Sequence, residues 1–246
     1  MGNFAVEEVS LDPVTLEFGG RFDHQSVKSK ETNFKRSFNN VSLSAGAAIH
    51  PTADSLIGIS LARTERAPTA EELFSNGPHL ATNAFEKGNL NLQKEKATSL
   101  ELTLKQETER LSLGLNLYHT WYDDFIYEHA TGELEDGLNV LEYRQRDARF
   151  YGAELESRYL LINDNGHELA VGLKGDITRA KFPNGGGNLP RIPAKSATFS
   201  LEYSSEYFGA EGSLRLVDDQ ANLAANELKT EGYSELNLEV FWRPFG

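Results

Sequence analysis

Six histidines, no cysteine and several neighbouring carboxylates bound the chemistry open to this chain. His79 stands in "NGPHLATNAFEKGN", followed by Glu86, inside the longest stretch without a simple hydrophobic period, residues 63–92. Imidazole is the commonest metal ligand and also ligates haem iron, and carboxylates beside it suit borderline cations such as zinc. Asp123 and Asp124 in "WYDDF" are further oxygen donors, and His129 in "IYEHATGELED" adjoins an acidic run able to gather cations. His79 is therefore the leading metal-ligand candidate, with Glu86, Asp123, Asp124 and His129 as companions. The plainer reading of His79 is a solvated loop residue. His24, His50, His119 and His167 read as structural or exposed.

Other chemistries are poorly served. Without cysteine there is no disulfide, thiolate nucleophile or thiolate metal site. A formal net charge of -13 disfavours nucleic acid as a partner. No Gly-x-Ser-x-Gly, Walker or His-Glu-x-x-His motif occurs, so the sequence does not read as an enzyme. Asp123 and Asp124 could form a carboxylate dyad only through a bulge, because adjacent strand residues face opposite ways. A small complete outer-membrane barrel, acting as a rim hydrolase or a surface adhesin, is the competing class.

The elements that must position these residues alternate almost throughout. In "LSLGLNLYHTWY", Leu111, Leu113, Leu115 and Leu117 share a face with His119 and Trp121, and Ser112, Asn116 and Tyr118 share the other. "SLELTLK", "YGAELESRYLL", "LAVGLKGDIT", "ATFSLEYS", "FGAEGSLRL" and "SELNLEVFW" repeat the period. A soluble sandwich alternates too. Here the polar face is rich in charge and glycine, and aromatics such as Trp121, Tyr122, Tyr151 and Trp242 gather at strand ends. Those features predict an antiparallel transmembrane β-barrel with a wet lumen and aromatic girdles. No run approaches a transmembrane helix, and "MGNFAVEEVSLDP" has no signal-peptide pattern.

Connections sort alternately into tight turns near residues 12, 50, 107, 163 and 204 and long links at 25–39, 66–95, 128–140, 182–195 and 218–231. Short periplasmic turns and long extracellular loops have this asymmetry. About eleven strands result, an odd number that predicts a run of neighbouring strands from a larger barrel. Within the second long link, Pro68 and Thr69 before Glu71 and Glu72 predict a short helix over "TAEELF".

The segment "ARTERAPTAEELFSNGPHLATNAFEKGNLNLQKEKATSLELTL" resembles TonB-dependent outer-membrane receptors. The likeness is carried by Arg66-Ala67-Pro68, by "EELF" at 71–74, by "GNLNLQKE" from Gly88 through Asn89 and Leu92 to Glu95, and by "RFYGAELE" at 149–156. It implies a barrel of about 22 strands with an N-terminal plug, driven by the TonB complex. It also implies that residues 1–246 are one partial barrel domain from the middle-to-late strands, with plug and last strands outside it. Phe245-Gly246 follows Arg-Pro rather than closing a strand on an aromatic residue. The implied cargo is zinc or a haem or iron chelate, with no resident cofactor. In haem-uptake members a histidine between the two boxes is the ligand, which points to His79. The second box here, Asn89-Leu90-Asn91-Leu92, lacks the family's proline, and "HLATNAFEKGN" is closer to zinc-uptake members.

Overall fold

The protein is described from a computed structural model covering residues 1–29, 34–225 and 227–244; Phe245 and Gly246, and part of the 25–39 link, lie outside these. The strands are β1 (Gly2–Leu11), β2 (Val14–Lys28), β3 (Lys35–Ile49), β4 (Ser55–Arg66), β5 (Asn76–His79), β6 (Ala84–Lys87) and β7 (Glu95–Glu107), with α1 (Ala70–Phe74) between β4 and β5. They continue as β8 (Leu111–Glu135), β9 (Leu138–Asp164), β10 (His167–Lys181), β11 (Ser196–Ser204), β12 (Phe208–Val217) and β13 (Tyr233–Trp242). All but β5 and β6 form one meander of eleven strands in chain order. The eleven-strand expectation is met. β1 and β13 end the sheet and do not pair with each other.

Register converts the sequence alternation into two faces. Leu104, Leu115 and Leu155 stand side by side on β7, β8 and β9, and Leu102, Leu117, Ala153 and Ile177 form the next row. This apolar face has no protein cover: Leu43 is 60% exposed, Ile59 52% and Leu201 52%. A sandwich would bury such a face on a second sheet, whereas a barrel leaves it to lipid. The opposite face carries Glu101, Asn116, Glu154, Lys174 and Glu202. There Gly152 clears the way for Tyr118, whose hydroxyl meets the Thr178 hydroxyl at 2.7 Å. A Cβ on Gly152 would stand 2.5 Å from the Tyr118 hydroxyl. β1 departs from the pattern, with Glu7 opposite Phe18 and Phe4 opposite Arg21.

The tight turns fall where the sequence puts them, and Asn165-Gly166 takes φ of 50 and 76, the left-handed pair that a two-residue hairpin needs. One long link is different. Residues 128–140 are not a loop, because β8 and β9 run 25 and 27 residues and meet in a two-residue turn at Asp136-Gly137. About 9–11 residues cross a membrane, so this hairpin continues well beyond it. Its Asp-Gly pair supplies the positive φ of such a turn, and that local signal outweighed the polar composition.

Candidate functional site

The 67–94 link is a folded unit. Thr69 caps α1 by accepting from the Glu72 N–H at 3.2 Å, and the Glu72 carboxylate accepts the Thr69 N–H at 2.8 Å. This reciprocal capping box gives a five-residue helix a fixed start. Glu72 and Glu95 then hold Arg66, with contacts of 3.0 Å to Glu72 and 3.1–3.2 Å to Glu95. Glu95 also accepts the Ile126 N–H at 2.9 Å. Beneath them Ala67, Leu73, Leu92, Ile126, Val27 and Phe38 form a buried cluster. Past α1 the hairpin β5–β6 crosses to the upper part of β9, where β6 pairs parallel with residues 139–142.

His79 and Glu86 meet on that hairpin, His79 Nδ1 lying 2.7 Å from Glu86 Oε1. The Glu86 side chain is 6% exposed and the His79 side chain 55%. Thr82 donates to Glu86 at 2.9 Å, and the Tyr143 hydroxyl lies 3.2 Å from Glu86 and 3.1 Å from Glu128. Arg191 completes the chain with a 2.6 Å ion pair to Glu128. Burial opposes ionisation of Glu86, and the hydrogen bonds from His79, Thr82 and Tyr143 outweigh it, holding its carboxyl below the ordinary range. Burial and the charges of Glu128 and Glu86 push the Tyr143 phenol well above its usual value. It stays protonated and serves as a donor.

Asp123 and Asp124 sit in a bulge, with a register shift between Tyr122 and Phe125 and φ of 58 at Asp124. Two residues against one on β9 reverse the parity of the strand above. Phe125 and Tyr127 thus join Tyr122 and Phe150 in packing around Phe182 and Leu189, while Ile126 and Glu128 turn towards the α1 unit. The hairpin is covered on both faces by loops from different parts of the chain. Asp123 pairs with Arg63 at 3.3 Å, and the Asp124 N–H donates to Asp147. Neither approaches His79. His129 sits beside Tyr127 with burial, then the Arg144 charge, holding its imidazole below its ordinary pKa.

Between the hairpin and the 182–192 loop lies a cavity of about 680 Å³. Its walls are aromatic, from Phe125, Tyr127, Phe150 and Phe182, with His129, Arg146 and Arg191 at the edges. Arg146 lies over the Phe182 ring at 4.9 Å. Among the described residues, no group of three or more histidine or acidic side chains is placed to hold a metal ion.

An open meander with an uncovered apolar face and tall loops at one end has a match among known families. The family model for "TonB dependent receptor-like, beta-barrel" covers residues 2–245. This chain belongs to the TonB-dependent receptor β-barrel family. Barrels of this family reside in the bacterial outer membrane. Solved structures share the fold: the copper transporter OprC superposes with a TM-score of 0.85 at 22% identity, over 99% of this chain and 39% of that one. The FrpB iron transporter from Neisseria meningitidis (F5-1 variant) gives 0.71 at 18% identity, over 99% and 38%. The ferric yersiniabactin uptake receptor FyuA from Yersinia pestis gives 0.70 at 18% identity, over 98% and 37%. The chain spans about two fifths of the length of these proteins.

In this receptor barrel the sequence boxes have structural work. Arg66 clamps the two glutamates, while Ala67 and Pro68 are buried against the rim. Asn89 donates through Nδ2 to the Tyr143 carbonyl at 3.3 Å and accepts the Asn91 N–H at 2.9 Å. Leu92 is 1% exposed. Gly88 lies so close to α1 that a Cβ would stand 2.6 Å from the Phe74 nitrogen. The sequence singles out His79, Glu86 and His129 as candidates, and the structure sets Tyr143, Arg146, Phe182 and Arg191 beside them. The arginines, Phe182 and Tyr143 carry no local pattern, since Tyr143 gains its role only through contacts with Glu86, 57 positions away, and Glu128, 15 positions away.

Proposed function

We propose that this chain supplies middle-to-late strands and ligand-gripping loops of a larger outer-membrane receptor. That receptor takes up a scarce metal as an organic chelate of the haem or iron-siderophore kind. A plug domain outside the chain occupies the lumen and is moved by the TonB complex. Open edges at β1 and β13 support further strands, since lipid cannot satisfy unpaired backbone groups.

The observation that carries the chelate reading is the aromatic cavity of about 680 Å³ with His129 and Arg146 at its edges. Its size lies in the range of small-molecule sites, and flat conjugated or aryl ligands pack on such walls while guanidinium groups meet their anionic oxygens. The similar solved structures include iron and ferric-chelate importers.

His79 supports a second reading, zinc or haem-iron ligation. Glu86 holds Nδ1, which fixes ring orientation and leaves Nε2 as the donor. The test is titration of the complete receptor with haem, a ferric catecholate, a ferric hydroxamate and zinc, followed by calorimetry. One chelate should bind, and replacing Phe125 and Tyr127 together by alanine should weaken it at least about tenfold. His79→Ala should weaken haem or zinc alone. Binding of zinc without any chelate transfers the site to His79, and indifference to all four ligands rejects both readings.

A further inference from the structure

The loops around the aromatic cavity are held together in two different ways. Polar links tie the 182–195 loop to the 218–231 loop. Asn188 Nδ2 donates to the Leu223 carbonyl at 3.2 Å, the Arg191 N–H donates to Glu227 at 2.8 Å, and the Gln220 amide donates to the Ile192 carbonyl. Lys195 pairs with Asp218 at 3.0 Å. Towards the β8–β9 hairpin the same loops offer apolar packing through Phe182 and Leu189, and the contact of Arg191 with Glu128. Among the described residues that contact is the one ion pair between these loops and the hairpin.

Three features of this pair make it exchangeable. The Arg191 backbone is pinned, with φ of 62 in the left-handed region and its N–H held by Glu227, which also accepts the Ala224 N–H. Its side chain is 63% exposed at the cavity edge, whereas that of Glu128 is 13% exposed. Glu128 Oε2 lies 2.6 Å from the guanidinium, yet this buried oxygen has no aligned hydrogen bond among the described residues. Charges in contact without an aligned hydrogen bond make the weaker kind of pair. Glu128 also has a second donor, because the Tyr143 hydroxyl lies 3.1 Å from its Oε1 and 3.2 Å from Glu86. A phenol has one proton to give, and Glu86 keeps Thr82 as a donor when Tyr143 turns to Glu128. Arg191 can therefore leave Glu128 without stripping it of every partner.

We propose that Glu128 is an internal competitor for the ligand's own anion, and that exchange of Arg191 between the two makes the cavity selective for chelates with an exposed carboxylate or catecholate oxygen. This deepens the chelate reading and rests on it. An anionic guest on the aromatic wall takes the Arg191 guanidinium and also meets Arg146, which has no ion-pair partner among the described residues. Glu128 is left to Tyr143. An uncharged chelate of the same size does not displace Glu128 and gains nothing from Arg191. Tyr143 is a positioning residue here, acting on the ligand through Glu128.

The complete receptor is titrated with a ferric catecholate and haem as anionic probes, and with a ferric hydroxamate and haem dimethyl ester as uncharged ones. An anionic probe should bind at least about tenfold more tightly than its uncharged counterpart. Glu128→Gln removes the competing charge and keeps its shape, so it should tighten the anionic probe about fivefold and raise the ratio of the two affinities. Arg191→Gln should weaken the anionic probe about tenfold and lower that ratio. Tyr143→Phe should weaken it too, because Glu128 then holds Arg191 as its sole partner, and this effect should vanish beside Glu128→Gln. A direct Tyr143 contact with the ligand would persist in that background and would overturn the positioning role. An anionic probe that Glu128→Gln weakens or leaves unchanged overturns the proposal, as does a preference for the uncharged probe, and both results leave the chelate reading standing. Failure of every probe to bind removes the chelate reading and this proposal with it.

Discussion

Arg66→Met isolates the clamp that fastens the 67–94 unit to the barrel. The substitution keeps most of the aliphatic stem and removes the guanidinium that meets Glu95 at 3.1 and 3.2 Å and Glu72 at 3.0 Å. The Glu95 side chain is 10% exposed, so its paired, charge-assisted hydrogen bonds are worth about 1.5–3 kcal/mol. The Glu72 contact shares an Arg66 side chain that is 42% exposed and adds about 0.2–1 kcal/mol. Together the unit loses about 2–4 kcal/mol of docking free energy, most of it from leaving Glu95 unpaired. Hydrogen exchange of the complete receptor should then rise roughly 30- to 700-fold at the Leu73, Gly88 and Asn89 amides. Adding Glu95→Gln to Arg66→Met should recover about 1–2 kcal/mol, because a neutral amide is cheaper to leave there. Unchanged exchange at those amides refutes the clamp. An equal rise in β10–β12, which do not touch the unit, shows that the whole barrel was weakened instead.

Leu115→Arg should cost about 2–4 kcal/mol in a barrel-refolding titration if Leu115 lies near the lipid midplane, and a neutral result removes the lipid assignment of that face. Gly88→Ala should loosen α1, since the new Cβ meets Leu73 and Phe74 backbone atoms at 2.6–2.7 Å, with faster exchange at Ser75 and Asn89 as the readout. Because the folded Glu86 carboxyl lies below its ordinary 4.5, its contribution is present above that pH and is lost as pH falls through the folded value. Acidification below the ordinary 4.5 and through the folded value should therefore open β5–β6 in the unaltered receptor, and Glu86→Gln should remove that pH-dependent increment. An increment that survives in Glu86→Gln assigns it to another acid.

The strands of this barrel were legible because lipid on one side and water on the other impose a two-residue period on every wall strand. Leu111 to Leu117 and Tyr151 to Leu155 fall on the face their parity predicts, and the tight turns follow from Asn-Gly and similar local signals. The capped helix was legible for the same local reason, since Thr69 and Glu72 satisfy each other within one turn. The length of the β8–β9 hairpin was not. Above the membrane no lipid enforces alternation, and "IYEHATGELED" reads as polar loop although it pairs as strand.

The sequence by itself determined the class of wall, its turns, the Arg-Ala-Pro anchor and the identity of the imidazoles available at the rim. Only the tertiary structure decided which groups meet. Glu86 and Tyr143 are 57 positions apart, and Gln93 and Gln145 are 52 apart, brought together because β6 crosses two strands to reach β9. The bulge at Asp123-Asp124 then sets which of Phe125, Ile126 and Tyr127 lines the cavity, by shifting parity by one residue. Such choices depend on long-range packing of loops against one another, and a period of two carries no record of that packing.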